Sequence, residues 1–265
     1  MIDVQNMEDH RMVDIDKVGV KNIKYPIVVL DKKNGIQHTV ATIDMYVNLP
    51  HNFKGTHMSR FVEILHENKN MINMKNLPGI LKEMKKRLNA EKAHIEIRFP
   101  YFIKKQAPVS KTPGYLEYEC AFIGSMNEAD EMKEFIVSVS VPINTLCPCS
   151  KEISNYGAHN QRGIVRVSVK FKKFFWIEDL INTIENCASS DIYSVLKRED
   201  EKYVTEKAYE NPKFVEDVVR DIAIELSKDN NFTWFAIEAE NLESIHNHNA
   251  YAFIERNNEK GGCHE

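Results

Sequence analysis

The chain has 265 residues, 43% of them hydrophobic, so it can bury a core and is long enough for one large domain or two domains of about 130 residues. Lys and Arg number 35 and Asp and Glu 39, and a net charge of −4 excludes a protein that coats nucleic acid through positive charge. No apolar run approaches the ~20 residues that cross a bilayer, and the acidic start lacks the apolar segment of a signal peptide. These features predict a cytoplasmic protein that binds neither nucleic acid nor membrane.

The first half of the chain shows strand periodicity, then helix periodicity, then strand periodicity again. Alternating apolar residues predict strands at 25–30 and 37–49, a 3.6-residue period predicts helices at about 58–65 and 77–90, and alternation returns around 95–99 and 116–122.

The same order of elements recurs in the second half. Strands are predicted around 135–141 and 165–171, helices at about 177–187 and 213–228, and strands around 235–239 and 251–253. We therefore expect an α+β protein of two ββααββ modules, at residues 21–128 and 129–258, with terminal extensions at 1–20 and 259–265. Each module should form an antiparallel sheet covered on one face by two helices.

One connection departs from this repeat. A short turn at 31–35 joins the first two strands, whereas the corresponding strands of the second module are separated by the insertion NTLCPCSKEISNYGAHNQ, residues 144–161. Long insertions on a rigid scaffold often carry function.

Cysteine usage draws attention to the same insertion. The five cysteines are odd in number and scattered, unlike a disulfide framework, and only Cys147 and Cys149 lie close together. Pro148 favours an extended backbone at Cys147, which would put both thiols on one face, roughly 6.7 Å apart and at the upper limit for a disulfide. We expect two free thiols, at a metal or catalytic site.

Cys147, Cys149 and His159 have the side-chain types that bind zinc or another borderline divalent metal. Their spacing matches no zinc finger, and a catalytic metal would need a third ligand from elsewhere in the chain. A buried polar turn with inert thiols explains the same motif equally well.

Three further segments carry charged or ionisable residues. In 240–248, an extended backbone would put His246 and His248 on one face, to bind metal or relay protons, although a hydrophilic hairpin connection is as good an explanation. In KGTHMSRF, Thr56 is an expected N-cap at a helix start that could receive phosphate, but an ordinary capped helix is the commoner case and the P-loop pattern is missing. The acidic run from Arg198 to Glu206 is most simply a solvated surface.

Taken together, four stretches resemble GTP cyclohydrolase type IB. They are KGTHMSRF (54–61), LCPCSKEISNYGAHNQRG (146–163), DEKYVTEKAYENPKFVEDVVRD (200–221) and ENLESIHNHNAYA (240–252). The resemblance implies the tunnelling fold, a homotetramer with active sites between subunits, and a hydrolase that converts GTP and water to 7,8-dihydroneopterin 3'-triphosphate and formate in folate-type pterin synthesis.

The resemblance also implies residue roles. A divalent metal, Mn²⁺ or Zn²⁺ with Fe²⁺ as a further candidate, would be held by Cys147, His159 and Glu201. Glu216 and His246 match catalytic positions, Cys147 and Cys149 lie at the reaction centre, and Glu243 would anchor guanine. The candidates for holding the triphosphate are the basic residues Lys54, His57, Arg60, Lys151, Arg162 and His248.

Two other classes remain open from the sequence. A tunnelling-fold nitrile reductase acting on a deazaguanine would use a cysteine nucleophile and a nicotinamide cofactor in place of the metal triad. A non-enzymatic metal-binding scaffold would have no use for Glu216, Glu243 and His246.

Overall fold

The computed structural model describes residues 5, 7–68 and 72–258, so the predicted extension at 259–265 lies outside the described residues. The described residues form eight strands and six helices. The strands are β1 (Ile15–Asp31), β2 (Gly35–Leu49), β3 (Ala93–Gln106), β4 (Pro113–Met126), β5 (Met132–Leu146), β6 (Asn160–Phe171), β7 (Phe232–Asn241) and β8 (Ala250–Asn257). The helices are α1 (Met58–Asn68), α2 (Leu77–Leu88), α3 (Pro148–Ile153), α4 (Ile177–Asn186), α5 (Arg198–Glu210) and α6 (Val215–Lys228).

The strands are ordered β1-β2-β3-β4-β5-β6-β7-β8, so each one pairs with its neighbours in sequence. The β1–β2, β2–β3, β6–β7 and β7–β8 pairs are antiparallel, as expected for strands joined by short connections. This arrangement confirms the predicted α+β class. No helix in the described part of the chain is both long enough and apolar enough to span a membrane.

The chain divides into two compact units. Unit 1 comprises Met1–Pro100 and Cys120–Val137, and unit 2 comprises Tyr101–Glu119 and Ser138–Glu265. The predicted module boundary between residues 128 and 129 follows the order of elements and does not coincide with these units. Long strands can contribute different parts of their length to different cores, which periodicity along the chain does not reveal.

In unit 1, β1 begins well before the strand predicted from Tyr25, so residues 15–20 of the expected extension belong to the sheet. Val18 pairs with Val47 and Val20 with Met45, with register shifts on both sides. These irregularities and the exposure of most residues at 15–24 hide the strand alternation in the sequence.

Unit 2 places its core between strands and two amphipathic helices. Every second residue is buried in β5 from Val139 to Thr145, in β6 from Gln161 to Val169 and in β7 from Thr233 to Asn241. The apolar faces of α4 and α6 are buried as well. The central buried residues are Val139, Val141, Val165, Val167, Val169, Phe235, Ile237, Ile181, Ile184, Val218 and Ile222. This packing leaves the connection between β5 and β6 at the end of a rigid sheet.

Helices α3 and α5 are not predicted by periodicity. Helix α3 is a six-residue helix within the insertion, and α5 forms from the acidic run that we expected to be solvated. Only Asp200 and Ala208 of α5 are buried, so the helix has almost no apolar stripe to detect.

Candidate active site in the β5–β6 connection

Cys147 lies at the junction of β5 and α3. Its backbone is extended, with φ −67° and ψ 117°, as predicted for a residue before proline. Pro148 then begins α3, where its missing N–H has no cost, and Cys149 lies exposed in the helix. The expectation that the CPC segment is extended throughout is therefore wrong, whereas the expectation of two free thiols is confirmed.

Ser150 connects Cys147 to His159. Its hydroxyl donates to the carbonyl oxygen of Cys147 at 3.1 Å and accepts the backbone N–H of His159 at 3.2 Å, while its own N–H donates to Cys147 Sγ at 3.4 Å. The backbone N–H of Cys147 donates to the carbonyl of His159 at 3.1 Å. The two predicted metal ligands are thus brought together by contacts within the insertion, and we call them the Cys147–His159 pair.

The imidazole of His159 is held from one side. Nδ1 lies 3.1 Å from Gln161 Oε1 and 3.3 Å from Ser244 Oγ, so Nε2 is the ring atom left for a metal or a proton. A thiol and an imidazole nitrogen are donors that suit Zn²⁺ and related divalent ions, so the chemistry of the pair fits the implied metal.

Glu201, the third expected ligand, lies exposed in the first turn of α5. Among the described residues, no group of three or more His, Cys, Asp and Glu side chains is arranged to hold a metal ion, so this chain does not bring Glu201 into the Cys147–His159 pair. One helical turn further along, Val204 lines a cleft of about 520 Å³ that is also lined by Gln161 and Ser244, the two partners of His159.

Asp200, beside Glu201, is completely buried and anchors the start of α5. Its carboxylate accepts the backbone N–H groups of Val109, Ser110 and Lys197 at 2.8–2.9 Å, and the Ser110 hydroxyl at 2.6 Å. Burial acts to raise the pKa of Asp200, but these hydrogen bonds outweigh it and hold the pKa well below its usual range. The sequence does not reveal this role because Val109 and Ser110, which supply three of the four hydrogen bonds, are about 90 positions away in the chain.

The segment between β7 and β8 is a bent loop rather than the extended chain considered above. The rings of His246 and His248 nevertheless stack, with centroids 5.1 Å apart and planes at 20°. Glu243 is half-buried, and Ser244 ties this loop to His159. Glu216 lies exposed in the first turn of α6.

The basic residues expected to hold a triphosphate are dispersed. In unit 2, Arg162 is exposed and lines the cleft, whereas Lys151 donates to the carbonyl of Tyr209 and lies 4.4 Å from its ring centroid. In unit 1, the guanidinium of Arg60 donates to the carbonyl of Arg87 at 2.8 Å.

The remaining unit 1 candidates flank the start of α1. The helix begins at Met58, so Thr56 does not directly precede it as an N-cap would, and Thr56 is buried. Lys54 donates its backbone N–H to Met7, and the carbonyl of His57 accepts the N–H of Arg60.

A partly buried charge network, which the sequence does not reveal, reaches the cleft through Asp191. Asp191 lines the cleft and pairs with Lys105 at 3.1 Å and Lys207 at 2.9 Å, while Glu185 pairs with Lys105 and accepts the hydroxyl of Tyr118. Burial raises the pKa of Asp191, but the two lysines outweigh it, so the net shift is downward. No local pattern announces pairs that are so distant in sequence.

Comparisons with known proteins identify the family. Residues 1–252 match the family model described as type I GTP cyclohydrolase folE2. GTP cyclohydrolase FolE2 of Syntrophobacter fumaroxidans is 60% identical over 256 residues, which cover 97% of this chain and 99% of the relative. GTP cyclohydrolase FolE2 of Syntrophus aciditrophicus is also 60% identical, with 97% and 100% coverage.

Solved structures show a similar fold at low identity. A uricase from Bacillus fastidious has a TM-score of 0.54 at 8% identity and covers 94% of each chain. A urate oxidase mutant from Bacillus sp. TB-90 has a TM-score of 0.52 at 11% identity, over 92% of this chain and 99% of the other. These likenesses concern the fold alone.

The relatives carry the name FolE2, and the narrower type IB designation suggested by the motifs stays a prediction. The match spans nearly the whole length of both chains, at an identity far above the level of chance resemblance. The chain belongs to the type I GTP cyclohydrolase FolE2 family.

Proposed function

We propose that this chain is a GTP cyclohydrolase of type IB that converts GTP and water to 7,8-dihydroneopterin 3'-triphosphate and formate, at the start of folate-type pterin synthesis. The observation that carries the proposal is the Cys147–His159 pair, assembled within a chain that matches the family over residues 1–252. In the net reaction one water is consumed, C8 of guanine leaves as formate, and the other ring atoms are retained.

A divalent ion, Mn²⁺, Zn²⁺ or Fe²⁺, would be held by Cys147, His159 and Glu201. Because the described residues of one chain alone do not bring Glu201 to the pair, the proposal places the complete ligand set in the assembled oligomer. When bound, the ion would supply the Lewis acidity that lowers the pKa of the water attacking C8. The position of Val204 on the cleft supports the choice of Glu201, because residues three apart on a helix share a face. Cys149, exposed on α3 next to the pair, contributes to the same reaction centre.

The loop between β7 and β8 supplies the groups that would recognise and protonate the substrate. Glu243 accepts hydrogen bonds from the guanine ring N–H and exocyclic amine, since an ionised carboxylate is an acceptor only. His246, stacked on His248, and Glu216 move protons at N7 and at the ribose ring oxygen. Arg162 and His248 are exposed and available to the triphosphate.

The same proposal includes the tunnelling fold and a cytoplasmic homotetramer. β1 and β8 stand at the two ends of the strand order, and each has one strand neighbour in the described part of the chain. Unpaired strand edges are usually covered by other chains or by special features of the strand. Tyr251 and Phe253 of β8 are 58% and 52% exposed, which supports burial of this strand in an assembly.

The test is incubation of the chelator-treated full-length chain with GTP, with and without added Mn²⁺ or Zn²⁺. We expect metal-dependent release of formate and appearance of a fluorescent pterin after oxidation. If neither formate nor pterin forms with or without metal, and the chain instead oxidises a reduced nicotinamide when a deazaguanine nitrile is supplied, the nitrile reductase class is favoured. Light scattering on the active sample tests the tetramer.

A further inference from the structure

A buried amide lies behind the Cys147–His159 pair. Gln161 is only 7% exposed, and it bridges the ring of His159 to the hydroxyl of Thr145, which is completely buried. We infer that Gln161 is a positioning residue that fixes the tautomer of His159, so that Nδ1 carries the proton and Nε2 presents its lone pair to the site.

The direction of the two hydrogen bonds carries this inference. The amide NH₂ of Gln161 lies 3.0 Å from Thr145 Oγ1, to which it donates, and the amide oxygen lies 3.1 Å from His159 Nδ1. An amide oxygen only accepts, so a neutral His159 must donate from Nδ1. Nε2 is then unprotonated, the state in which an imidazole binds a metal or accepts a proton.

The placement of a glutamine here supports a specific role. Gln161 occupies an inward position of β6, where Val165, Val167 and Val169 are all completely buried. Burying an amide is costly unless both of its ends are hydrogen-bonded, and both ends of Gln161 are. If packing were the only requirement at this position, an apolar residue would fill it without the free-energy cost of burying an amide.

The remaining freedom of His159 is already small. Its backbone N–H and carbonyl are held by Ser150 and Cys147, and Ser244 Oγ gives Nδ1 a second partner at 3.3 Å. What these contacts do not decide is which ring nitrogen carries the proton, because a serine hydroxyl can donate or accept. The amide oxygen of Gln161, which can only accept a hydrogen bond, places the proton on Nδ1.

The experiment measures the tautomer directly. Histidine labelled with ¹⁵N is introduced into the full-length chain, metal is removed with a chelator, and long-range ¹H–¹⁵N spectra are recorded well above the titration range of imidazole, with His159→Asn to assign the signal. We expect the Nδ1–H form in the parent. Gln161→Met should shift His159 toward the Nε2–H form that unconstrained imidazole favours, and Gln106→Met, at an exposed glutamine of the same unit, should leave it unchanged.

Thr145→Val provides a second variant that keeps side-chain shape if Gln161→Met folds poorly. It removes the acceptor that orients the amide, so a mixture of both tautomers is expected. The Mn²⁺ dissociation constant should rise about 10–100-fold in Gln161→Met and stay at the parent value in Gln106→Met. Finding the Nε2–H form in the parent, or an unchanged tautomer in both variants, would overturn the inference.

The inference rests on the proposed function only in assigning a metal to Nε2. The tautomer is measured without GTP, and formate release by the parent is measured separately. A parent with the Nδ1–H form and no formate release would contradict the proposed function while supporting the role of Gln161.

Discussion

Two connections between neighbouring strands differ in the side chains that hydrogen-bond their backbone and in the reactive groups that they carry. In unit 1, the turn from β1 to β2 is closed by Asp31, whose carboxylate accepts the backbone N–H groups of Lys33 and Asn34 at 2.9 and 2.6 Å. In unit 2, the connection from β5 to β6 carries Cys147 and His159, and its backbone is satisfied by Ser150 instead.

The two connections use different side chains to hydrogen-bond the polar N–H and C=O groups of the backbone. A loop must satisfy its polar backbone groups, and in a short turn a carboxylate does so at the expense of its own reactivity. In the longer connection the hydroxyl of Ser150 hydrogen-bonds two of these groups and the Cys147 sulfur accepts one backbone N–H, so Nε2 of His159 remains available. The following predictions test this comparison, beginning with the largest expected effect.

Replacing His159 by Asn should reduce formate release to background, because it removes the nitrogen that we propose as a metal ligand. The matched change in the other connection is Lys33→Ala, at an exposed residue of the β1–β2 turn, and it should keep full activity. Formate release and bound metal are measured for both. Full activity in His159→Asn would remove the pair from the mechanism.

Ser150→Ala should weaken Mn²⁺ binding about 10–100-fold, the usual cost of removing a residue that orients metal ligands. The hydroxyl bridge between Cys147 and His159 is lost, while both side chains remain. Ser154→Ala, at an exposed serine just beyond α3, is the control and should bind Mn²⁺ as the parent does. Equal affinities for the two variants would show that Ser150 does not position the pair.

The two connections each contain a glycine with positive φ, +83° at Gly35 and +117° at Gly157. A Cβ at either position meets nothing within 4 Å, so Gly→Ala should cost backbone strain alone, about 1–3 kcal/mol. We expect Gly35→Ala to lower the melting temperature without changing kcat. Gly157→Ala should lower both, because Gly157 lies two residues before His159. Thermal unfolding and formate release decide the matter, and unchanged turnover in Gly157→Ala would argue against a strained connection that positions the histidine.

Asp31→Asn should have the smallest effect, about 0.5–1 kcal/mol of unfolding free energy at pH 7. Burial acts to raise the pKa of Asp31, but hydrogen bonds from Asn34 and Lys33 outweigh it, so the net shift is downward. Because the pKa is lowered on folding, the ionised carboxylate stabilises the fold fully at pH values above the ordinary pKa of 3.8. This stabilisation is lost as the pH falls through the lower pKa of the folded state. The difference between parent and variant, measured by urea unfolding, should therefore shrink in acid. A difference that grows in acid would contradict this account.

The regular elements were predictable because their burial follows a simple period. Val215, Val218, Val219 and Ile222 recur along α6, so this helix was predicted within two residues of its observed bounds. Val165, Val167 and Val169 alternate along β6, whose end was predicted correctly, although the strand begins five residues before its predicted start. Helix α5 was missed because a single buried carboxylate, Asp200, anchors it in place of an apolar stripe.

The candidate site was predictable in its residue types and not in its arrangement. The CPC segment and His159 indicated a metal or catalytic site, and the family resemblance supplied Glu201, which composition could not choose from its acidic run. The assumption of an extended CPC segment failed because proline also favours the first position of a helix, and that choice depends on the hydrogen bonds that follow it.

The sequence by itself determined the α+β class, the long insertion between β5 and β6, and the thiol and imidazole groups within it. These properties depend on local periodicity and side-chain chemistry, and both follow directly from the order of the residues. Only the tertiary structure decided that Ser150 joins Cys147 to His159, that Gln161 reaches Thr145 behind the imidazole, and that Asp200 anchors α5 to Ser110. A hydrogen bond depends on distance and direction between groups that the fold brings together, and the sequence does not state which distant donors and acceptors will meet.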